Sequence, residues 1–297
     1  SVRLKLPEDW VVSPKEIVFN IKQKKDIRTV VFSVTPPKNQ SEGKLEVIAT
    51  SEGTTYHKEL IEINYNHIPK QTILSDSKAK IVRLDIKTVG TKIGYIKGAG
   101  DAIPESLRQI GYTVVVLNPL EINENNLQKY DAIVLGIRAY NVVKELKFKQ
   151  KHLLAYVENG GNMIVQYNTN RGVNVAAPFE LKLSRDRVTD EFSEVRILAE
   201  AHAVLNFPNK ITAEDFNGWV QERGLYFPDT WSKEYTPILS MNDKNETPKN
   251  GSLLIAKYGK GNYIYTGLSF FRELPVGVSG AYKLFANMLA VGKEESF

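Results

Sequence analysis

Two short apolar runs, with a helix-length segment between them, constrain this chain more than any other feature. The runs are Asp131-Ala-Ile-Val-Leu-Gly136 and Asn162-Met-Ile-Val-Gln-Tyr-Asn168. Each has the length and uninterrupted apolar character of a strand buried on both faces. Residues 143–159, stopped by Gly160-Gly161, read as the helix that joins them. Strands linked by such a crossover lie parallel, and open parallel sheets receive ligands at the carboxyl ends of their strands. Polar residues follow both runs at once: Arg138, Tyr140 and Asn141 after the first, Asn168, Asn170 and Arg171 after the second. These six are the candidate ligand contacts. They suit a carboxylate or sugar hydroxyls, or they brace the neighbouring loops.

The same rhythm extends in both directions. Ile93-Gly-Tyr-Ile96 is a strand, Gly98 to Pro104 a turn into a helix that ends at Gly111, and Thr113-Val-Val-Val-Leu117 the next strand. A short helix over 123–128 precedes the Asp131 run. Alternation of this kind predicts a doubly wound, mostly parallel sheet. Further on, residues 179–183 and 195–198 read as strands, and Thr212-Ala-Glu-Asp215 as a capping box with Asp replacing Glu. Residues 252–257 and 262–266 form a hairpin across Tyr258-Gly-Lys-Gly261, and a helix over 280–290 follows.

Upstream of residue 67 the period is different. Val2 to Leu6 alternates apolar and basic side chains, and residues 17–19, 29–34, 45–49 and 56–65 follow as short strands between polar turns. That pattern predicts a small sandwich. About six strands are visible where an immunoglobulin-like domain has about seven, so the first strand is expected upstream of Ser1. Residues 68–84 read as a linker, with Ile81 to Ile86 as one more strand assignable to either side.

Composition closes some options. The chain has 297 residues, no Cys, and a net charge of +5 spread along its length. Thiolate metal sites, disulfides and a Cys nucleophile are excluded. No apolar run reaches the ~20 residues of a membrane span, no signal peptide is visible, and no motif supports nucleic-acid binding. Gly98-x-Gly100 lacks the third glycine of a dinucleotide fingerprint, since position 103 is Ile. No cofactor or metal is expected. Where α/β enzymes carry a nucleophile elbow, this chain reads Gln166-Tyr-Asn-Thr-Asn170, and no His is near in sequence to activate Thr169. Glu191, His202 and Glu222 are the remaining acid–base candidates, with a hydrogen-bonded structural His as the plainer reading of His202. The cluster Trp219, Glu222, Arg223, Tyr226, Phe227, Trp231 and Tyr235 suits a sugar ring or a packed sheet edge.

Three segments carry a resemblance: Gly136-Ile-Arg-Ala-Tyr-Asn141, Asp215-Phe-Asn-Gly-Trp-Val-Gln-Glu-Arg-Gly-Leu-Tyr-Phe227 and Tyr265-Thr-Gly-Leu-Ser-Phe-Phe-Arg-Glu-Leu-Pro275. Together they resemble the carboxy-terminal region of large secreted bacterial PIG-L (LmbE-like) deacetylases. The resemblance implies an Ig-like module over 1–67 and a class I glutamine amidotransferase-like, flavodoxin-like α/β domain over 85–297, downstream of a zinc-dependent N-deacetylase domain. It implies a periplasmic or extracellular setting and a glycan or glycoconjugate partner. The PIG-L zinc motif is absent, and so is the amidotransferase Cys near Tyr167-Asn168. The expectation is therefore a non-catalytic accessory region that positions or binds substrate. The alternative is a carbohydrate-active enzyme of the trehalose-utilisation type, working through His and carboxylates.

Overall fold

The computed structural model describes residues 1–173 and 177–294, and the chain divides into two compact units, Ser1–Asp85 and Ile86–Phe297. The amino-terminal unit contains strands and no helix among its described residues. Its longest strand, Ser41–Ser51, pairs antiparallel with Val2–Lys5 along one edge and with Thr54–Tyr56 and Lys78–Arg83 along the other. Val2–Lys5 also pairs with Glu16–Ile17, and Val11–Ser13 pairs with Ser33–Thr35 in a separate ribbon. Ile48 is the buried apolar side chain here; Val18, Ile27 and Val31 are largely exposed.

The stretch 68–84, expected as a linker, is part of this unit. Gln71–Asp76 forms a hairpin with Lys58–Ile63, and Lys78–Arg83 joins the main sheet. Charged and hydroxyl residues dilute its apolar alternation, and the strands are held instead by backbone ladders and cross-strand ion pairs such as Lys58–Asp76 at 2.6 Å. Residues 29–32, expected as strand, fall outside any ladder, and the strand begins at Ser33.

In the second unit a seven-stranded sheet runs in the order Thr113–Val116, Lys92–Ile96, Ala132–Leu135, Asn162–Gln166, Gly261–Thr266, Leu253–Tyr258, Tyr235–Pro237. The first five strands are parallel; the last two run antiparallel to their neighbours. The fold is thus α/β, with a mixed sheet whose middle strand is Asn162–Gln166. Alternation sends Ile133, Leu135, Met163, Val165, Tyr263 and Tyr265 to one face, where they pack with Leu146, Leu153, Tyr156 and Val157 of the helix Leu146–Glu158. Val134, Ile164 and Ile264 point to the other face. The helix Ser279–Ala290 packs on the middle strand there, with the Asn162 amide donating to the Met288 carbonyl at 2.6 Å. That helix buries ten of its twelve residues, which suits an element covered on nearly all sides.

The helix expected over 143–159 is present as Leu146–Glu158, and a separate short helix precedes it. A short turn, Ala139–Val142, ends where Val143 is extended, and the longer helix starts at Leu146. A further helix, Phe270–Val276, carries Pro275 in its last turn, next to the point where the helix stops.

Candidate functional site

The loops that follow Lys92–Ile96, Ala132–Leu135 and Asn162–Gln166 are hydrogen-bonded to one another at the carboxyl edge of the sheet. Ala132–Leu135 leads into Gly136-Ile-Arg138, and Arg138 takes a left-handed backbone (φ 57°) to start the short helix at once. The turn is clamped on both sides. Arg138 N–H donates to the Tyr167 carbonyl at 2.8 Å, and Ala99 N–H donates to the Ile137 carbonyl at 2.8 Å. Gly98 is required here, since a Cβ would lie 2.0 Å from the Ile137 oxygen. This is a close backbone approach, and no phosphate-binding loop is needed to explain the glycine.

Beneath the turn lies a buried polar relay. The Tyr95 hydroxyl donates to Asp101 at 2.7 Å and accepts from the Gln166 amide at 3.2 Å. Burial first, and the Asp101 charge second, push the Tyr95 phenol far above its usual range. It stays protonated and holds the loop after Ile96 to the middle strand.

The six candidate contacts separate into two groups. Tyr140 is buried, and its hydroxyl is engaged with Gln150 at 2.8 Å, so no ligand reaches it. Asn168 is 1% exposed. Its Oδ1 accepts from Tyr140 N–H at 3.0 Å and its Nδ2 donates to the Gln166 carbonyl at 2.9 Å. Asn141 bridges to the next loop, accepting from Thr169 N–H at 2.9 Å and donating to the Arg171 carbonyl at 2.8 Å. These three are framework, and the reason is general: amides next to strand ends satisfy loop backbone that has no ladder partner. Arg138, Asn170 and Arg171 remain as candidate contacts.

Asn170 and Arg171, with Thr169, line an open pocket of about 360 Å³ completed by Arg185, Arg187 and Tyr226. The last three come from a ribbon of Leu181–Val188 paired with Gly224–Trp231. Opposite Asp186 and Arg187 the register skips from Phe227 to Leu225, so Tyr226 is the extra residue of a β-bulge, at φ 53°. A bulge re-aims the side chain it carries, and a left-handed Tyr is strained unless its surroundings hold it. Here they do: Tyr226 lies parallel to Tyr167 (6.1 Å, 8°), and its carbonyl accepts from the Tyr265 hydroxyl at 3.2 Å. Phe271 packs on Tyr167 from another side at 5.4 Å.

Burial raises the Tyr167 phenol above its ordinary pKa; Arg138 opposes this and Glu222 adds to it. A protonated phenol at the elbow position is a hydrogen-bonding group and not an activated nucleophile. Thr169 uses its hydroxyl to donate to the Arg171 carbonyl at 3.2 Å. Arg138, Arg171, Arg185 and Arg187 have no carboxylate within 4.0 Å among the described residues, and the buried Arg138 Nε has no hydrogen-bond partner there.

The acid–base candidates do not form one site. Glu222 pairs with Arg272 at 2.8 Å, beyond the carboxyl end of Gly261–Thr266. Glu191 accepts from Gln221 N–H in the same neighbourhood. His202 caps a short 3₁₀ turn, accepting from Val204 N–H at 3.1 Å, and the carboxylate that acts on it is Glu294. Glu294 follows Val291, whose carbonyl meets Asn262 at the opposite, amino end of the strands. Burial lowers the His202 pKa, consistent with a neutral structural imidazole. Among the described residues no three His, Asp or Glu side chains gather as metal ligands, and no helix is long and apolar enough to cross a membrane.

Of the aromatic cluster, Trp219, Phe227 and Tyr235 are core, Tyr226 lines the pocket, and Glu222 is held by Arg272. Arg185, Arg187 and Arg272 were not singled out from the sequence. Arg185-x-Arg187 in a strand puts two cations on one side, a signal that was legible once that strand was recognised.

No family model matches the chain, and no curated protein matches it in sequence. Solved structures resemble it at low identity. A Thermoplasma acidophilum protein described as a GMP synthase subunit is 10% identical over 71% of this chain and 98% of its own, with a TM-score of 0.47. A cytoplasmic protein of Salmonella typhimurium LT2 is 14% identical over 67% and 98%, at 0.48. A ThuA-like protein of Bacteroides uniformis is 15% identical over 69% and 93%, at 0.44.

Proposed function

We propose that the second unit is a non-catalytic recognition domain that binds a glycan or glycoconjugate in the crevice at the carboxyl ends of its central strands. The observation that carries this reading is the pocket of Thr169, Asn170, Arg171, Arg185, Arg187 and Tyr226, where cations without carboxylate partners adjoin an aromatic wall. Sugar rings stack on tyrosine faces, and guanidinium forks take hydroxyls and anionic substituents. Nothing at the elbow attacks a carbonyl, so the site binds and does not cleave. In this proposal the chain is the accessory region of a PIG-L-type deacetylase, periplasmic or extracellular. The amino-terminal unit is its Ig-like spacer, the second is amidotransferase-like in descent, and the upstream catalytic domain is the partner served.

The test is glycan-array binding of the chain, followed by titration of the hits against Arg138→Ala. The variant is expected to bind about tenfold more weakly, the loss of one charge-assisted contact. Its melting temperature should stay within about 2 °C of wild type, because the guanidinium gives up no ion pair. A marked fall in melting temperature makes Arg138 a structural brace and removes it from the site. An absence of glycan binding, with an unchanged deacetylase after removal of this region, ends the proposal.

A further inference from the structure

The chemistry of the pocket is narrower than that of a general sugar site. Arg171 enters from the loop after the middle strand, and Arg185 and Arg187 enter two residues apart from the ribbon. All three are exposed, and none has a carboxylate within 4.0 Å among the described residues. Ion pairs that this unit forms elsewhere, Glu222 with Arg272 and Asp215 with Lys283 among them, do not involve the residues that line the pocket. Three cations line about 360 Å³, and they favour an occupant that brings negative charge, an attraction that salt weakens.

We propose that this pocket takes the phosphoryl group of a phosphate monoester carried by the ligand, a phosphorylated sugar in the first instance. The inference rests on the reading of the crevice as a glycan-binding site. A single carboxylate would leave two of the three charges uncompensated. A phosphate monoester carries close to two negative charges at neutral pH and three acceptor oxygens, which match three guanidinium forks that bind such oxygens in pairs. The Asn170 amide, exposed at the rim, is a neutral donor beside them. The volume exceeds that of a bare phosphate, and Tyr226, whose ring is fixed by the bulge and by Tyr167, lines the same pocket. A ring attached to the phosphoryl group therefore has an aromatic face to rest on.

The experiment is calorimetric titration of the whole chain with glucosamine, glucosamine 6-phosphate, glucuronate and inorganic phosphate, repeated on the Arg185→Ala/Arg187→Ala double variant. Glucosamine 6-phosphate is expected to bind at least about tenfold tighter than glucosamine or glucuronate. Inorganic phosphate should compete with it, and the double variant should lose the preference while melting at the wild-type temperature. Equal binding of glucosamine and its 6-phosphate overturns the phosphoryl assignment and leaves the sugar-binding reading standing. Binding of glucuronate as tight as that of the phosphate ester, or a preference that survives in the double variant, also overturns it. Inorganic phosphate that binds and is lost in the double variant, without any sugar binding, upholds the pocket and removes the sugar reading. Failure of all four probes removes both.

Discussion

Glu273→Gln is expected to flatten the pH dependence of stability between pH 5 and pH 8 and to raise the melting temperature at pH 8 by several degrees. Glu273 is fully buried in the Phe270–Val276 helix. Burial is the main cause that pushes its carboxyl up from 4.5 to about 8; Glu191 adds to the rise, while the Val220 N–H, Arg223 and Arg272 oppose it. The sign follows from which state holds the proton. Below about pH 4.5 both folded and unfolded chains carry it, and burial of the neutral acid is not penalised. Between about 4.5 and 8 the unfolded carboxyl ionises while the folded one keeps its proton. Stability therefore falls as pH rises, at about 1.4 kcal/mol per pH unit for full linkage. Across pH 5 to 8 the loss is on the order of a few kcal/mol. At roughly 2–4 °C per kcal/mol for a domain of this size, it should be plain in a melting series. Gln keeps an oxygen to accept from Val220 N–H, as Glu273 does at 3.0 Å. Its second group replaces an Oε1 that has no partner among the described residues, at a cost of about 1–3 kcal/mol that the removed ionisation offsets at pH 8. Glu273→Ala loses the acceptor and opens a cavity, so it should melt lower than wild type at every pH. Parallel pH profiles for wild type and Glu273→Gln would show that Glu273 is not protonated in the native state.

Why is such a carboxyl present? Its hydrogen bond from Val220 N–H holds the residue before Gln221 (φ 68°) and Glu222, and Glu222 in turn holds Arg272. The segment 220–227 contains two non-glycine residues in the left-handed region, Gln221 and Tyr226. Strained backbone persists only where its surroundings over-determine it. Glu273, Arg223 and the Tyr265 hydroxyl supply those fixings beneath the wall of the crevice, Arg223 by donating to the Ser193 and Phe216 carbonyls.

The parallel core was legible because its signals are local. An apolar run of four or five residues with a Gly stop is enough to mark Ala132–Leu135 and Asn162–Gln166, and crossover logic then orders them. The residues just past each strand were legible only as chemistry. Arg138, Tyr140, Asn141, Asn168, Asn170 and Arg171 all read alike as polar residues at strand ends. Which of them turn inward depends on loop backbone needs: Asn141 and Asn168 are consumed by carbonyls and N–H groups of the facing turn. The wall from Arg185, Arg187 and Tyr226 was hidden for a different reason. It depends on a bulge between strands about forty residues apart, and register is a property of pairing that no single segment carries. In the amino-terminal unit, exposed hairpins with little core left too weak an alternation to separate strand from linker.

Asn287→Leu should damage the last helix about as much as truncating one of its buried apolar side chains, and it exposes what a pattern of apolar residues conceals. On the sequence, Asn287 is one polar residue in a helix that reads as apolar, between Phe285 and Met288. In the structure it is fully buried. Its Nδ2 donates to the Val204 carbonyl at 2.8 Å and the Asn209 carbonyl at 2.7 Å. Its Oδ1 accepts from the Asn209 N–H at 3.0 Å and side-chain amide at 2.9 Å. Asn209 passes the connection on, pairing with both the N–H and the carbonyl of Lys87 at 2.9 Å. One amide thus ties the irregular 203–211 segment to the helix and to the first residues of the second unit. Leu keeps the branched shape in a larger volume, and it leaves two carbonyls and an N–H without the partners they have now. Each buried orphan costs about 1–3 kcal/mol. Loosening of the segment toward water keeps the sum below full additivity, so about 4 kcal/mol is expected, a fall of roughly 10 °C or more. Hydrogen exchange should quicken at Asn209 N–H while the middle strand stays protected. Asn206→Ala, on the exposed side of the same segment, should cost well under half as much. A Leu variant that melts within about 3 °C of wild type would mean that the 203–211 segment is held by its apolar contacts, Val204 and Leu205 foremost, and that the amide network adds little.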